Sequence, residues 1–305
     1  MRSRAVRLLR RFYHPDPKLR KVPDHIHRAP YYESGIVPIV PEIDFSNPNA
    51  ESLRERIAIM RKACQLASYT RAFAGALVRD GISCDEIDRL THEECIHRGY
   101  YPAPLNFKGF PKSLTCSVNE EICHGIPSQR LLKNGDIVKL DCSVFYEDHY
   151  GDCCGTFLVG EVDDVGQRLH STTIQCVNEA IKICRPGVRF TEIGKTIQDI
   201  ADEAGFGVVA EYAGHGIGKN LHTSPSIIHI RNAYHQGEMV PGMTFTIEPV
   251  LTEGSPTRRV LADGWTVVTC DGKRSAQHEE TILITENGSE ILTQHPSDLF
   301  HESFK

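Results

Sequence analysis

The sequence predicts an α+β fold of two similar halves that face one another, with a site between them. Three observations predict it. Two stretches, "DGISCDEIDRLTHEECIHRGY" from Asp80 and "PGVRFTEIGKTIQDIADEAGF" from Pro186, align without gaps, and Gly81, Glu86-Ile87 and Gly99 correspond to Gly187, Glu192-Ile193 and Gly205. Each stretch follows another helical pattern and precedes segments that alternate as strands do. Both halves then offer carboxylates from those strands. Two copies are too few for a solenoid, so a facing pair is the economical reading.

The elements follow in chain order. The opening "MRSRAVRLLRRFYH" has five arginines and no acid before Asp16. That composition fits a transit peptide or a basic linker. Residues 12–50, rich in proline, histidine and tyrosine, read as part of an extended N-terminal arm (1–50) lying on the domain. A helix starts near Glu51, runs through "LRERIAIMRKACQLASYTRAFAGAL" and ends at Asp80-Gly81. A second helix, "CDEIDRLTHEECIHRG", starts at Ser83 or Cys84. Strands are expected over about 103–118 and 136–160. Residues 51–295 should form one domain and 296–305 a tail.

Within the second strand region, "KLDCSVFYEDHYGDC" places Asp141 and Asp152 on either side of a polar turn at Glu147-Asp148-His149. An even loop without a bulge puts both aspartates on one face. Directly opposed side chains there sit about 4.5–5.5 Å apart and diagonal ones about 7–8 Å. Like charges so placed repel, which points to something positive between them. In the second half, "MTFTIEPVL" puts Thr244, Thr246 and Glu248 on one face. "SAQHEETILIT" puts Gln277, Glu279 and Thr281 on one face, with His278, Glu280 and Ile282 opposite.

Composition excludes several classes. A formal net charge of −6 gives no general reason to expect a nucleic-acid partner, and no apolar run approaches the length of a membrane span. The eleven cysteines form no C-x-x-C pair, so a zinc ribbon and a thioredoxin-like motif are not expected. Cys142, Cys153 and Cys154 flank the aspartates, but their spacing matches no common zinc module. Most of the thiols read as reduced, in an intracellular protein.

Asp141, Asp152, Glu248 and Glu279, with histidines nearby, form a hard-oxygen, borderline-nitrogen set suited to Mn, Fe(II), Co or Zn. Four negative charges balance two divalent cations; without metal, one or more carboxylates would stay protonated. A two-metal hydrolytic site fits this set. Singly, each residue has a plainer reading. A strand aspartate is an edge charge or turn cap, Glu248 before proline ends a strand, and "AGHGIG" is a loop. The combination decides.

That combination resembles the type I methionine aminopeptidases. "FPKSLTCSVNEEICHGIP", "GDIVKLDCSVFYEDHYGD", "GHGIG", "TIEP" and "SAQHEETILIT" stand in the family's order and spacing over about residues 30–295. The resemblance implies the pita-bread (creatinase/aminopeptidase-like) fold, two pseudo-symmetric α+β halves with the metal site between them. It implies that Asp141 chelates one metal, that Asp152 and Glu279 bridge both, and that His215 and Glu248 complete the other shell. A water or hydroxide between the metals would be the nucleophile, with Glu248 as general base. His124 would contact the scissile amide, and His222 would stabilise the oxyanion; singly, each also reads as a buried structural histidine. A methionine pocket matches Phe107, Phe110, Thr115, Leu221 and Trp265, residues that would serve equally as core packing. Backbone groups of Asn119 and Glu121, with Ser275, match a monovalent-cation position.

Two residues depart from the family pattern: Glu280 stands where histidine is usual, and Leu221 replaces a common aromatic. The resemblance implies removal of the initiator methionine from nascent chains with a small second residue. Expected partners are nascent N-termini and, in one reading, the ribosome. The protein is expected to be a cytoplasmic monomer, with a mitochondrial location as the alternative. A proline-specific enzyme of the same fold and a metal-free binding protein are the competing readings. Prolidases generally carry a large N-terminal domain, and no ribosome-binding Cys/His cluster is present in this chain.

Overall fold

The computed structural model describes residues 19–41, 51–231 and 237–294. The arginine-rich opening and the expected tail lie outside the described residues.

In the first half, α1 (Glu51–Ala76) and α2 (Cys84–His97) lie where the sequence places them. Ser83 caps α2, its hydroxyl accepting the Glu86 N–H, with Glu86 three residues on as in a capping box. The expected strand over 103–118 is mostly turn: β1 (Tyr101–Pro102) ends just before it, and within it only β2 (Thr115–Val118) is extended. Pro102, Pro104 and Pro111 offer no N–H to a ladder. Asn106 and Lys108 take positive φ between them, 60° and 51°. Strands β3 (Glu121–Cys123), β4 (Ile137–Tyr146) and β5 (His149–Leu158) follow.

The β4–β5 turn has two residues, not three. Tyr146 pairs with His149, and Glu147 and Asp148 take φ of 46° and 58°, the positive pair of a type I′ turn. Helix α1 lies directly over this hairpin. Gly151 permits the approach, since a Cβ there would meet the Ala63 carbonyl oxygen at 2.3 Å. Part of the arm packs on the same half: Tyr31 is fully buried with its hydroxyl donating to the Ala103 carbonyl, and Arg20 meets Asp88 at 2.7 Å. Farther along, the Asn220 side-chain amide holds both the N–H and the carbonyl of Val40.

The second half repeats the plan. Asp163 caps α3 (Asp164–Lys182), and Gly205 ends α4 (Thr191–Ala204). Then come β6 (Gly207–Val208), β7 (Gly214–Gly216), β8 (Thr223–Ile227), β9 (Thr244–Ile247) and β10 (Val250–Thr252). Strands β11 (Arg258–Val260), β12 (Val267–Thr269), β13 (Ser275–Gln277), β14 (Glu280–Ile284) and β15 (Ser289–Ile291) complete it.

The sequence repeat is a structural one. Gly81 N–H bonds the Leu132 carbonyl and Leu132 N–H the Ile82 carbonyl, each at 2.8 Å; Gly187, Met239 and Val188 make the same two bonds at 3.0 and 2.9 Å. Ile87 and Ile193, equivalent in the repeat, are both fully buried.

Among the described residues, every strand pair is antiparallel. β4 is flanked by β5 and also pairs β1 and β2, while a second sheet runs β15–β14–β9–β7–β8. Helices α3 and α4 cover the latter's apolar face, with Ile193, Ile197, Phe245, Ile247 and Ile282 in one core. Two of the seams between the halves, among the described residues, bear on the site. Strand β3 pairs β12, and β5 meets the β13–β14 junction through Thr156 Oγ1 to the Gln277 carbonyl (2.6 Å) and Glu279 N–H to the Cys154 carbonyl (3.0 Å).

Candidate metal centre

The second seam is where the acids meet. In the hairpin register Asp141 faces Cys154 and Asp152 faces Ser143. The two aspartates therefore share a face as diagonal neighbours, close enough to share a proton. Ser143 Oγ donates to Asp152 Oδ1 at 2.9 Å, and Thr281 Oγ1 to the Asp152 carbonyl at 2.7 Å.

Glu248 and Glu279 sit at breaks in strands. Pro249 ends the β9 ladder just after Glu248, whose N–H donates to His229 Nε2 at 3.1 Å. Thr246 Oγ1 and Gln277 Nε2 hold its carboxyl at 2.8 and 3.3 Å. Glu279 lies between β13 and β14, its carbonyl and that of Cys154 both accepting from Arg71. His215, on β7, directs Nδ1 at the Gly216 carbonyl at 3.2 Å. Its Nε2 then faces Glu248 Oε1 at 3.4 Å and Asp152 Oδ2 at 3.8 Å.

The electrostatics of this cluster are opposed. Burial, then the charges of Asp152 and Glu248, push Asp141 well above the usual carboxylate range. Burial does the same to Glu279, followed by Asp152, Glu248 and Asp141. Glu248 is pushed up to about 8 by burial and Asp152, and Asp152 itself to about 6 by burial. His215 is pulled down to about 4 by burial, so it is neutral. With Nδ1–H on a carbonyl, its Nε2 lone pair points at two carboxyls. Acceptors aimed at one another need a proton or a cation between them.

The donors fit one. Atoms of Asp152, His215 and Glu279 lie within 4.8 Å of one another. Asp141 Oδ1 and Glu279 Oε1 are buried with no hydrogen-bond partner. The oxygen–imidazole set suits borderline divalent ions. The flanking cysteines are not in the cluster: Cys142 pairs with Cys153 across the other face, and Cys154 Sγ turns to Gln277 Oε1 at 3.7 Å.

The remaining expected residues surround these donors. The His222 and His215 rings are 4.3 Å apart, and Phe107 meets His222 edge-on at 5.4 Å. Phe110 packs edge-on against Trp265 at 5.1 Å, Leu221 shares a core with Phe107, and Thr115 pairs with Asp141 in register. Burial pulls His222 well below its ordinary value, with His215 adding to it, and burial also lowers His124. His124 has a left-handed backbone, φ 55°, and packs against Tyr212 at 5.6 Å. Among the described residues, no helix is long and apolar enough to cross a membrane.

Of the neighbours, one lies as the strand alternation indicated and one expected site changes. Glu280 adds no charge to the cluster: it faces away and pairs with Arg71 at 3.0 Å and His278 at 3.2 Å. Strand alternation indicated that face. The monovalent-cation position at Asn119, Glu121 and Ser275 is occupied by the chain itself. Lys139 Nζ lies 2.9 Å from the Asn119 carbonyl and 2.8 and 3.0 Å from the Ser275 carbonyl and hydroxyl. Those oxygens therefore already have a cationic partner.

Sequence reasoning did not assign roles to Ser143, Thr246, Gln277 or His229. The first three stand two residues from an acid on the same strand face, a usable signal. His229, brought from beyond β8, had none.

This centre on this fold defines a metallohydrolase. Residues 58–286 match the model of metallopeptidase family M24, and the chain belongs to that family. It is 46% identical over 273 residues to methionine aminopeptidase 1B, chloroplastic, of Arabidopsis thaliana, covering 90% of this chain and 72% of that protein. It is 44% identical over 277 residues to methionine aminopeptidase 1D, mitochondrial, of Homo sapiens, covering 91% and 81%. The crystal structure of methionine aminopeptidase from Rickettsia prowazekii superposes with a TM-score of 0.77 at 38% identity, covering 79% of this chain and 98% of that one. Prolidase from Pyrococcus furiosus, at TM-score 0.64 and 22% identity, shares the fold.

Proposed function

We propose that the protein is a metal-dependent aminopeptidase that removes the N-terminal methionine from proteins whose second residue is small. The observation that carries the reading is the convergence of Asp152, His215 and Glu279 within 4.8 Å, with Asp141 Oδ1 and Glu279 Oε1 buried and without a hydrogen-bond partner. The identity to methionine aminopeptidases over nine-tenths of the chain supports the substrate. Asp141, Asp152, His215, Glu248 and Glu279 would hold two divalent ions of the Mn, Fe(II), Co or Zn type. Bound there, such ions supply Lewis acidity and acidify water.

The protein's own groups do the rest. Glu248, whose carboxyl is fixed by Thr246 and Gln277, accepts the proton of the attacking water and returns it to the leaving amine. His222, kept neutral by burial, donates its ring N–H to the developing oxyanion. His124 contacts the scissile amide from the opposite strand system. Phe107, Phe110, Leu221 and Trp265, with Thr115, receive the thioether, where each sulfur–aromatic contact contributes about 0.3–1.5 kcal/mol.

Residues 51–295 act as one catalytic unit, monomeric, with nascent chains as partner and the ribosome as the place of encounter. The expected compartment is the cytoplasm, and the arginines before Asp16 with the relatives named chloroplastic and mitochondrial support an organelle as the alternative. A reporter fused to residues 1–30 that stayed diffuse in the cytosol would overturn that alternative.

The test of function is methionine release from Met-Ala-Ser after chelation and re-addition of Mn or Co, with Lys-Pro-Ala in parallel. Metal-dependent cleavage of the first peptide alone is expected. Cleavage of the proline peptide alone would overturn the substrate, and no cleavage with any metal would overturn the enzyme.

A further inference from the structure

Lys139 is a charged side chain with only 1% of its surface exposed, set in a β4 strand whose next same-face residue is Asp141. Its ammonium has three N–H donors. Three acceptors meet them: the Asn119 carbonyl, the Ser275 carbonyl and Ser275 Oγ. Ser275 Oγ passes its own proton to the Glu121 carbonyl at 3.1 Å or that of Asn119 at 3.2 Å. Asn119 holds φ at 52°, and its side-chain oxygen takes the Ile137 N–H at the start of β4. Three segments, the β2–β3 turn, β4 and β13, thus converge on one point charge.

The placement has a consequence for the centre. Asp141 lies two residues along β4 from Lys139, and Glu279 four residues beyond Ser275. A shift of β4 against β13 would move the two carboxyls relative to one another. We propose that the Lys139 ammonium is a tethered cation, a positioning residue that locks β4 to β13 and lets this protein work without a free monovalent cation. The consequence for catalysis rests on Asp141 and Glu279 being metal ligands; the cation requirement does not.

Removing the ammonium leaves converging buried oxygens, a set that suits a desolvated potassium ion. Lys139→Ala opens that space, and Lys139→Met fills it without charge. The experiment compares the full-length proteins in potassium chloride and tetramethylammonium chloride at equal ionic strength. It reads the Tm of the metal-free protein and Met-Ala-Ser turnover of the Mn-loaded protein.

The wild type is expected to be the same in both salts. Lys139→Ala should lose about 10–100-fold in kcat/KM in tetramethylammonium and recover both turnover and Tm in potassium. Lys139→Met should stay impaired in both. Lys139→Ala that folds only in potassium also supports the proposal. Equal behaviour of Lys139→Ala in the two salts, failure to fold in both, wild-type behaviour of Lys139→Met, or saturable potassium activation of the wild type would each overturn it. An inert wild type would instead remove the peptidase reading and leave a potassium-dependent Tm of Lys139→Ala standing.

Discussion

Glu248 shows how one carboxyl can be fixed in place yet opposed in charge. Thr246 and Gln277 orient it, while burial and Asp152 push it up to about 8 without metal. A carboxyl raised in the folded state binds protons there that the unfolded chain releases. Its contribution to stability is therefore present below about 4.5 and lost as pH rises through about 8. His215 and His229, both pulled to about 4 by burial, act oppositely, their contribution being lost as pH falls from about 6.5 toward 4. Between about 7 and 8 those histidines are largely neutral in both states, so the raised carboxyls, Glu248 together with Asp141 and Glu279, set the slope. The Tm of the metal-free protein should fall as pH rises across that window, and Glu248→Gln should flatten the fall. A rising or level Tm for the wild type would show that these carboxyls are ionised before metal arrives.

Among the elements, what the sequence made legible depended on short-range chemistry. Ser83 with Glu86 marked the start of α2, and period-two alternation sorted Thr246, Glu248, Gln277 and Glu279 onto the site face. The same alternation turned Glu280 away, where Arg71 and His278 neutralise it. Other features depended on long-range partners and could not be read locally. The 103–114 segment has strand-like residues, but its prolines and the positive φ of Asn106 and Lys108 make it a turn that carries Phe107 to His222 and Phe110 to Trp265. The register placing Asp152 opposite Ser143, not Asp141, follows from a two-residue turn that alternation leaves open. Lys139 gave no signal, because its three acceptors come from positions up to 136 residues away.

Across the whole molecule, the proposed metal ligands straddle the pseudo-symmetric seam. Asp141 and Asp152 belong to the first half, while His215, Glu248 and Glu279 belong to the second. Protein hydrogen bonds already cross it, from Thr281 to the Asp152 carbonyl and from Glu279 to that of Cys154. Ions held by ligands from both sides would bind the folded arrangement and not the unfolded chain, so loading must stabilise the molecule as a unit. At a hundred times the dissociation constant the gain is about 2.7 kcal/mol. For a domain of this size that is a rise of roughly 5–10 °C in Tm. Glu279→Gln tests the seam at a single atom. The amide replaces a carboxyl that burial and its neighbours keep neutral in the metal-free protein, so metal-free Tm should hold or rise slightly. The Mn-dependent rise should disappear, along with methionine release. A Glu279→Gln protein that kept the full Mn-dependent rise would place the metal elsewhere, and one that unfolded without metal would make Glu279 a structural acid.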